Sequence, residues 1–206
     1  MSVYFRTSAM SWSVLLAAGL LAGCAGSVPS GAPGAVPARA PDNARKLPLM
    51  LEGGARHVFL SDAVYNTVTI FNRNGTTRTL SGFEEPQGLA SDASGNLYVA
   101  DTINARIAVF ASPYRNKATS VLSDSGEWPV DVAVAKDGTV AAVNICQPSG
   151  SRCSGPGAIV FFAKSTSKTP CATVRGNSNM TAMLWGAFDA GGNVYFTAVL
   201  NYTTVV

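Results

Sequence analysis

Side chains that could carry out acid–base or nucleophilic chemistry are scarce in this sequence. The one histidine, His57, begins a short apolar run, and nothing near it marks a nucleophile for a Ser-His-Asp type of site. The sequence also lacks the spacings GxSxG, HExxH, GxGxxG and the phosphate-binding loop, which place reactive groups or backbone amides where a reaction or a nucleotide needs them. These observations favour a binding or scaffolding protein over an enzyme.

The composition is that of a folded globular domain. Of the 206 residues, 47% are hydrophobic and 13% are charged, and the formal net charge is +3. Lysine and arginine form no run along the chain, so the sequence does not predict a nucleic-acid partner.

The first 23 residues have the organisation of a secretory signal. Arg6 supplies positive charge, and residues 13–23 form an apolar stretch too short to span a bilayer of about 30 Å as a helix. The end of this stretch, Leu21-Ala22-Gly23-Cys24, resembles the lipobox of bacterial lipoproteins. The resemblance implies a lipidated Cys24 and an anchored, extracytoplasmic protein of the cell envelope. Ala25, where an aspartate would signal inner-membrane retention, favours the outer membrane; an ordinary signal peptide that contains a cysteine is the alternative.

Residues 24–50 have the composition of a tether. Proline, alanine and glycine dominate this segment, which has almost nothing to bury. Such a chain extends by about 3.1 Å per residue where it adopts the polyproline II conformation. The sequence therefore predicts three parts: a signal segment at 1–23, a lipidated linker at 24–50 and a folded body at 51–206.

The body repeats a short pattern at intervals of about 40 residues. Its copies are VFLSD (58–62), LYVAD (97–101), VAAVN (140–144) and VYFTA (194–198). Turn-forming Asp, Asn and Gly precede the last three copies, and short apolar runs precede those turns. Around the second copy this predicts strands at 87–91, 97–101, 106–111 and 118–122. A repeat of this length with four strands is typical of a β-propeller.

Residues 97–110, LYVADTINARIAVF, resemble an NHL-type repeat, in which a strand ends in Asp and a turn leads into a second strand. Asp101, Asn104 and Arg106 carry the match. The first copy has Asp62, with Thr67 in place of the arginine, and the third copy has Asn144 in place of the aspartate. A carboxylate at a strand end can accept hydrogen bonds from turn N–H groups. We therefore interpret Asp62, Asp101, Asn104 and Arg106 as structural fasteners of turns; a ligand role at the rim is the alternative.

The repeats are too few for a ring. Residues 56–206 hold about three units and part of a fourth, whereas propellers have about 4–8 blades and NHL relatives typically close with about six. The predicted fold is thus all-β, a partial propeller of three to four blades of four-stranded antiparallel sheets. The interpretation is a truncated product, and ring completion by oligomerisation is the alternative.

A second resemblance concerns metal chemistry. Propellers similar to this one include calcium-dependent lactonases, which gather Asp, Asn and Glu side chains around one axial metal. That resemblance implies Asp101, Asn144 and Asp131 as candidate ligands, and calcium as the one candidate cofactor.

Three cysteines remain if Cys24 is lipidated. In an oxidising compartment, Cys146 and Cys153 are candidates for a disulfide that closes the loop CQPSGSRC. Cys171 is then either a buried thiol or the true partner of one of the two. A metal site is not favoured, because no second CxxC or neighbouring histidine accompanies these cysteines.

The sequence thus predicts a membrane-tethered binding or scaffolding propeller whose ligand is a protein, a peptide or a glycan. Trp128 and Trp185 are candidates for aromatic contacts at the rim, or for packing between blades. The alternatives are a calcium-dependent hydrolase of the lactonase or gluconolactonase kind, and a truncated fragment without function.

Overall fold

The structure, a computed structural model, describes residues 56–177 and 179–200. The predicted signal segment, the linker and Cys24 lie outside these described residues. Within the described ranges the regular elements are fifteen β-strands in antiparallel sheets, with no helix. Consequently, this part of the chain offers no helix that is long and apolar enough to cross a membrane.

The strands form successive sheets in chain order, which we call blades one to four. Blade one contains β1 (His57–Asp62), β2 (Thr67–Asn72) and β3 (Thr77–Leu80). Blade two contains β4 (Pro86–Ser91), β5 (Leu97–Asp101), β6 (Arg106–Phe110) and β7 (Ser120–Ser123).

Blade three is interrupted by an inserted hairpin. Its strands begin with β8 (Pro129–Val134) and β9 (Val140–Asn144); the hairpin of β10 (Gln147–Ser149) and β11 (Arg152–Gly155) follows, and then β12 (Ala158–Phe162) and β13 (Ala172–Arg175). The sheet order β13-β12-β9-β8 shows that the hairpin lies between the second and third strands of this blade. Blade four contains β14 (Met180–Phe188) and β15 (Val194–Leu200).

This architecture confirms the predicted fold class: the described part of the chain is all-β, with open, four-stranded antiparallel sheets in blades two and three. The bounds of three strands differ from the prediction, and the first of them, β4, begins at Pro86 rather than 87. β6 ends at Phe110 rather than 111, and the strand expected at 118–122 is β7 at Ser120–Ser123. The reason is a turn before β7, in which the backbone N and Oγ1 of Thr119 both donate to the carbonyl of Val109.

Blades two and three are buried on both faces, because successive residues of a strand point to opposite sides of the sheet. In β5, Leu97 and Val99 pack toward blade one, whereas Tyr98 and Ala100 pack toward blade three. In β9 the same alternation divides Val140 and Ala142 from Ala141 and Val143, which face β14 and its neighbours. Three apolar layers therefore separate the four blades. In blade four, Trp185 remains 64% exposed.

The first strands of adjacent blades approach closely. A β-carbon at Gly88 of β4 would lie 2.3 Å from Oδ1 and 2.4 Å from Cα of Asp131 on β8. Oδ2 of Asp131 accepts a hydrogen bond of 2.9 Å from the backbone N of Gly186 on β14. Asp131 thus connects the inner strands of blades two, three and four, and this contact needs glycine at position 88.

The first turn of blade two recurs in blade four. Asp92 accepts hydrogen bonds from the backbone N atoms of Ser94 and Asn96 and from the hydroxyl of Tyr98. Asp189 makes the same contacts with Gly191, Asn193 and Tyr195. Partial burial acts to raise the pKa of Asp92, but the hydrogen bonds from Asn96, Tyr98 and Ser94 together lower it below its ordinary value. The sequence repeat is therefore also a repeat of side-chain contacts.

Candidate functional site

A cavity of about 510 Å³ opens at the rim where β4 and β8 begin. We call this edge of the blades the proline rim, because Pro86 and Pro129 begin those two strands. The volume falls within the roughly 300–1,000 Å³ usual for small-molecule sites. The lining residues come from blades two and three and from the inserted hairpin: Glu85, Gln87, Thr102, Ile103, Trp128, Val130, Ile145, Gly150, Ser151 and Cys153.

The opposite rim is less suited to a ligand. A cavity of about 460 Å³ there is lined by the inner turns, including Asp92, Asp137 and Asp189. Each of these carboxylates already accepts a hydrogen bond from a backbone N atom of its own turn. The proline rim is therefore the better candidate site.

Glu85 and Trp128 occupy equivalent positions in adjacent blades, each directly before the proline that begins the inner strand. The backbone N of Glu85 donates to Oδ1 of Asn66 at 2.8 Å, and its carbonyl accepts from the N of Thr102. Trp128 exchanges backbone hydrogen bonds with Cys146 and Ile145. The main chains of both cavity residues are thus held by hydrogen bonds, and these bonds leave both side chains available to line the cavity.

Two further contacts stiffen the walls. Oγ1 of Thr102 donates to the carbonyl of Pro129 at 2.8 Å, so the β5–β6 turn is tied to the start of β8. The predicted disulfide is present: Cys146 and Cys153 are bonded, with Cα atoms 5.5 Å apart. The bridge holds the inserted hairpin against the end of β9. Cys171 is an exposed free thiol, so the expectation that it is buried or bridged is wrong.

The residues predicted to fasten turns lie beside this site. Asp101 is fully buried; its Oδ1 accepts from the backbone N of Glu84 at 2.7 Å, and its Oδ2 from Nε of Arg106 at 2.7 Å. Nδ2 of Asn104 donates to both of its carboxylate oxygens. Asp62 accepts from the backbone N atoms of the turn that follows β1. All four residues therefore make hydrogen bonds within or to turns.

Blade three contains a second polar cluster, which no sequence pattern predicted. Asp124, Glu127 and Asn144 are all buried, and Nη2 of Arg175 lies 2.5 Å from Oε1 of Glu127. One oxygen of each buried side chain, Oδ2, Oε2 and Oδ1 respectively, has no hydrogen-bond partner among the described residues. This cluster therefore has three buried acceptor oxygens for which the described residues supply no hydrogen-bond donor.

Within this cluster, the ionisation of the Asp124 carboxyl group is shifted. Its pKa is raised from 3.8 to about 7, chiefly by burial; Asn144 opposes the rise, Glu127 adds to it, and Arg175 opposes it. A protonated Asp124 can donate to an acceptor that otherwise has none. No short sequence motif signals this cluster, because Glu127 and Arg175 are separated by 48 residues.

The three candidate calcium ligands are each engaged in other contacts. Asp101 pairs with Arg106, Asn144 belongs to the blade-three cluster, and Asp131 binds Gly186. Burial raises the pKa of Asp131, although the backbone N–H groups of Gly186 and Val132 oppose the rise. Among the described residues, no group of three or more His, Cys, Asp or Glu side chains could hold a metal ion.

His57 is likewise used in packing. Its Nδ1 lies 2.9 Å from Oδ1 of Asn72, and its ring meets that of Tyr114 edge-on at 5.2 Å. The Asn72 contact joins β1 to β2 within blade one, and the Tyr114 contact packs β1 against blade two, so the imidazole has packing contacts on both sides.

Comparison with known proteins agrees with this geometry. The NHL repeat family model matches residues 83–110, which include β4, β5 and β6. This segment is therefore similar to an NHL repeat, and the match covers less than half of the chain. No curated protein sequence matches the chain.

Among solved structures, selenomethionine-substituted virginiamycin B lyase from Staphylococcus aureus matches with a TM-score of 0.53 and 10% identity, over 70% of this chain and 46% of its own. A luciferin-regenerating enzyme matches with a TM-score of 0.47 and 11% identity, over 68% of this chain and 47% of its own. The chain thus spans about half the length of these proteins. The first likeness shows the β-propeller fold and carries no reaction with it.

Proposed function

We propose that the protein is a binding module of the bacterial cell envelope, in which an NHL-type propeller domain presents the proline-rim cavity to a ligand. The observation that carries this proposal is the cavity itself. Its walls come from blades two and three and from the inserted hairpin, and hydrogen bonds and a disulfide fix them before any ligand arrives. A preformed, partly apolar pocket is the usual form of a small-molecule or side-chain binding site.

The tether is part of the same proposal. The lipobox resemblance at Cys24 and the Pro/Ala/Gly-rich residues that follow support a lipid anchor and a spacer. Two or more acyl chains hold a protein stably at a membrane, whereas one chain binds marginally. Mass spectrometry of the mature N-terminus from envelope fractions tests this. We expect an acylated Cys24, and an unmodified Cys24 or cleavage elsewhere contradicts the anchor.

Cavity binding is tested by blocking the pocket. Ile145→Arg places a long charged side chain into an apolar wall, and Val64→Arg makes the same change at a residue that is 85% exposed in blade one. Calorimetry against panels of peptides, glycans and small molecules should find ligands that lose binding with Ile145→Arg alone. Ligands that bind both variants equally would place the function elsewhere.

The calcium-dependent hydrolase draws no support from the described residues, because Asp101 and Asp131 already bind protein groups. A rise in melting temperature with calcium, followed by lactone hydrolysis, is the result that would favour it.

A further inference from the structure

The proline-rim cavity is asymmetric in charge. Among the described residues that line it, Glu85 carries the one carboxylate, and none carries a basic group. Val130, Ile103 and Ile145 supply apolar surface, and Trp128 supplies an aromatic ring. A ligand that fits this wall has a hydrocarbon part and a single positive group.

The backbone of Glu85 supports a functional role for its side chain. Its φ is 55°, in the left-handed region that favours glycine or asparagine. A glutamate is held there by Asn66 and Thr102, through the contacts on its main-chain N and O. Residues in this region are often found at functional sites, and the two hydrogen bonds hold the main chain of Glu85 in this conformation.

We propose that the cavity binds an organic cation, a primary ammonium or guanidinium group on an apolar carrier, between the Glu85 carboxylate and the Trp128 indole. The carboxylate offers a charge-assisted hydrogen bond to each N–H donor of such a group. The indole face attracts the same charge through its quadrupole, and more strongly where water is excluded. Ile103, Val130 and Ile145 then contact the carrier. This inference rests on the proposed cavity function and specifies its ligand class.

Two sources supply such a cation, a free amine and the lysine side chain of a peptide. Each source is tested with its own pair of probes. Phenethylammonium and 2-phenylethanol form a matched pair that differs in the charged group. Acetyl-Phe-Lys-amide and acetyl-Phe-norleucine-amide form the equivalent pair in a peptide. All four are titrated calorimetrically into the full chain at low salt.

In at least one of the two pairs, we expect the cationic member to bind about tenfold more tightly than its neutral partner. Glu85→Gln should remove that preference by weakening the binding of the cationic probes. Glu84→Gln is the matched control, because Glu84 is exposed like Glu85 but lies outside the cavity lining. Ile145→Arg should abolish binding of every probe.

Three results would overturn the inference. The first is equal affinity of charged and neutral probes with sensitivity to Ile145→Arg, which leaves the cavity function intact. The second is a cation preference that survives Glu85→Gln or is lost equally with Glu84→Gln. The third is the absence of binding by all four probes at millimolar concentration; the wider ligand panel with Ile145→Arg then decides separately whether the cavity binds anything.

Discussion

Asn144 occupies in blade three the position that Asp101 occupies in blade two, and both side chains are fully buried. Each lies opposite the proline that begins its blade, Pro86 or Pro129. In blade two the buried carboxylate is at the strand end and its arginine is five residues later. In blade three, the carboxylates come from the preceding loop and the arginine from β13. Each blade thus pairs a buried carboxylate with a partly exposed arginine, through different connectivity.

The blade-two pair should contribute strongly to stability. Asp101→Ala leaves Arg106 and the backbone N of Glu84 without their acceptor, and we expect a loss of about 3–5 kcal/mol in the free energy of unfolding. Asp101→Asn should cost less, because an amide oxygen still accepts one of these bonds. Urea denaturation measures both. Asp62→Ala, at a carboxylate that caps an exposed turn, is the control and should cost about 1 kcal/mol. Equal losses at the two positions would contradict the assignment.

Asp124 should make stability depend on pH near neutrality. Its pKa in the folded protein, about 7, lies above the ordinary value of 3.8, so the folded state binds a proton that the unfolded state has released. The free energy of unfolding therefore falls as pH rises from about 4 to about 7, by roughly 3–4 kcal/mol at most. Asp124→Asn cannot titrate. We expect the stability of this variant relative to the native protein to increase from pH 5 to pH 8, and a constant difference would refute the burial effect.

The disulfide should stabilise the inserted hairpin and the cavity wall. Closing the eight-residue loop between Cys146 and Cys153 is worth about 2.5 kcal/mol in the chain-entropy description. The double variant Cys146→Ser/Cys153→Ser should show that loss in urea denaturation. Cys171→Ser is the control and should change stability by less than about 0.5 kcal/mol, since this thiol is exposed. After treatment with a thiol-alkylating reagent, peptide mapping under non-reducing conditions should find Cys171 labelled and Cys146 and Cys153 unlabelled.

Gly88 should tolerate no side chain. Gly88→Ala would place a methyl group within 2.4 Å of the Cα of Asp131, so β4 and β8 must separate. We expect a loss of about 3 kcal/mol or less, as for other overpacked sites. Gly191→Ala is a suitable comparison, because its nearest contact is 3.3 Å away, on the Asp189 side chain. A smaller effect at Gly88 than at Gly191 would mean that the inner strands move apart freely.

The sequence predicted what is periodic and missed what is not. Alternating apolar residues and Asp-Asn-Gly turns predicted β5 and β9 correctly, and a short spacing in an oxidising compartment predicted the Cys146–Cys153 bridge. The blade-three cluster escaped because Arg175 reaches Glu127 across an inserted hairpin and two strands. The cavity could not be predicted for a similar reason. Glu85 and Trp128 stand at the same position of successive repeats, and they line one cavity because the two blades are neighbours in the fold.

The exchange between Asp101 and Asn144 has a consequence for counting repeats in related chains. A search that requires an aspartate at the strand end and an arginine shortly after it detects blade two and passes over blade three. What the two blades share is a buried polar side chain opposite the proline that starts the first strand, and a buried carboxylate paired with an arginine. Aligning such chains on that proline and on the apolar alternation should therefore find repeats that motif matching leaves out.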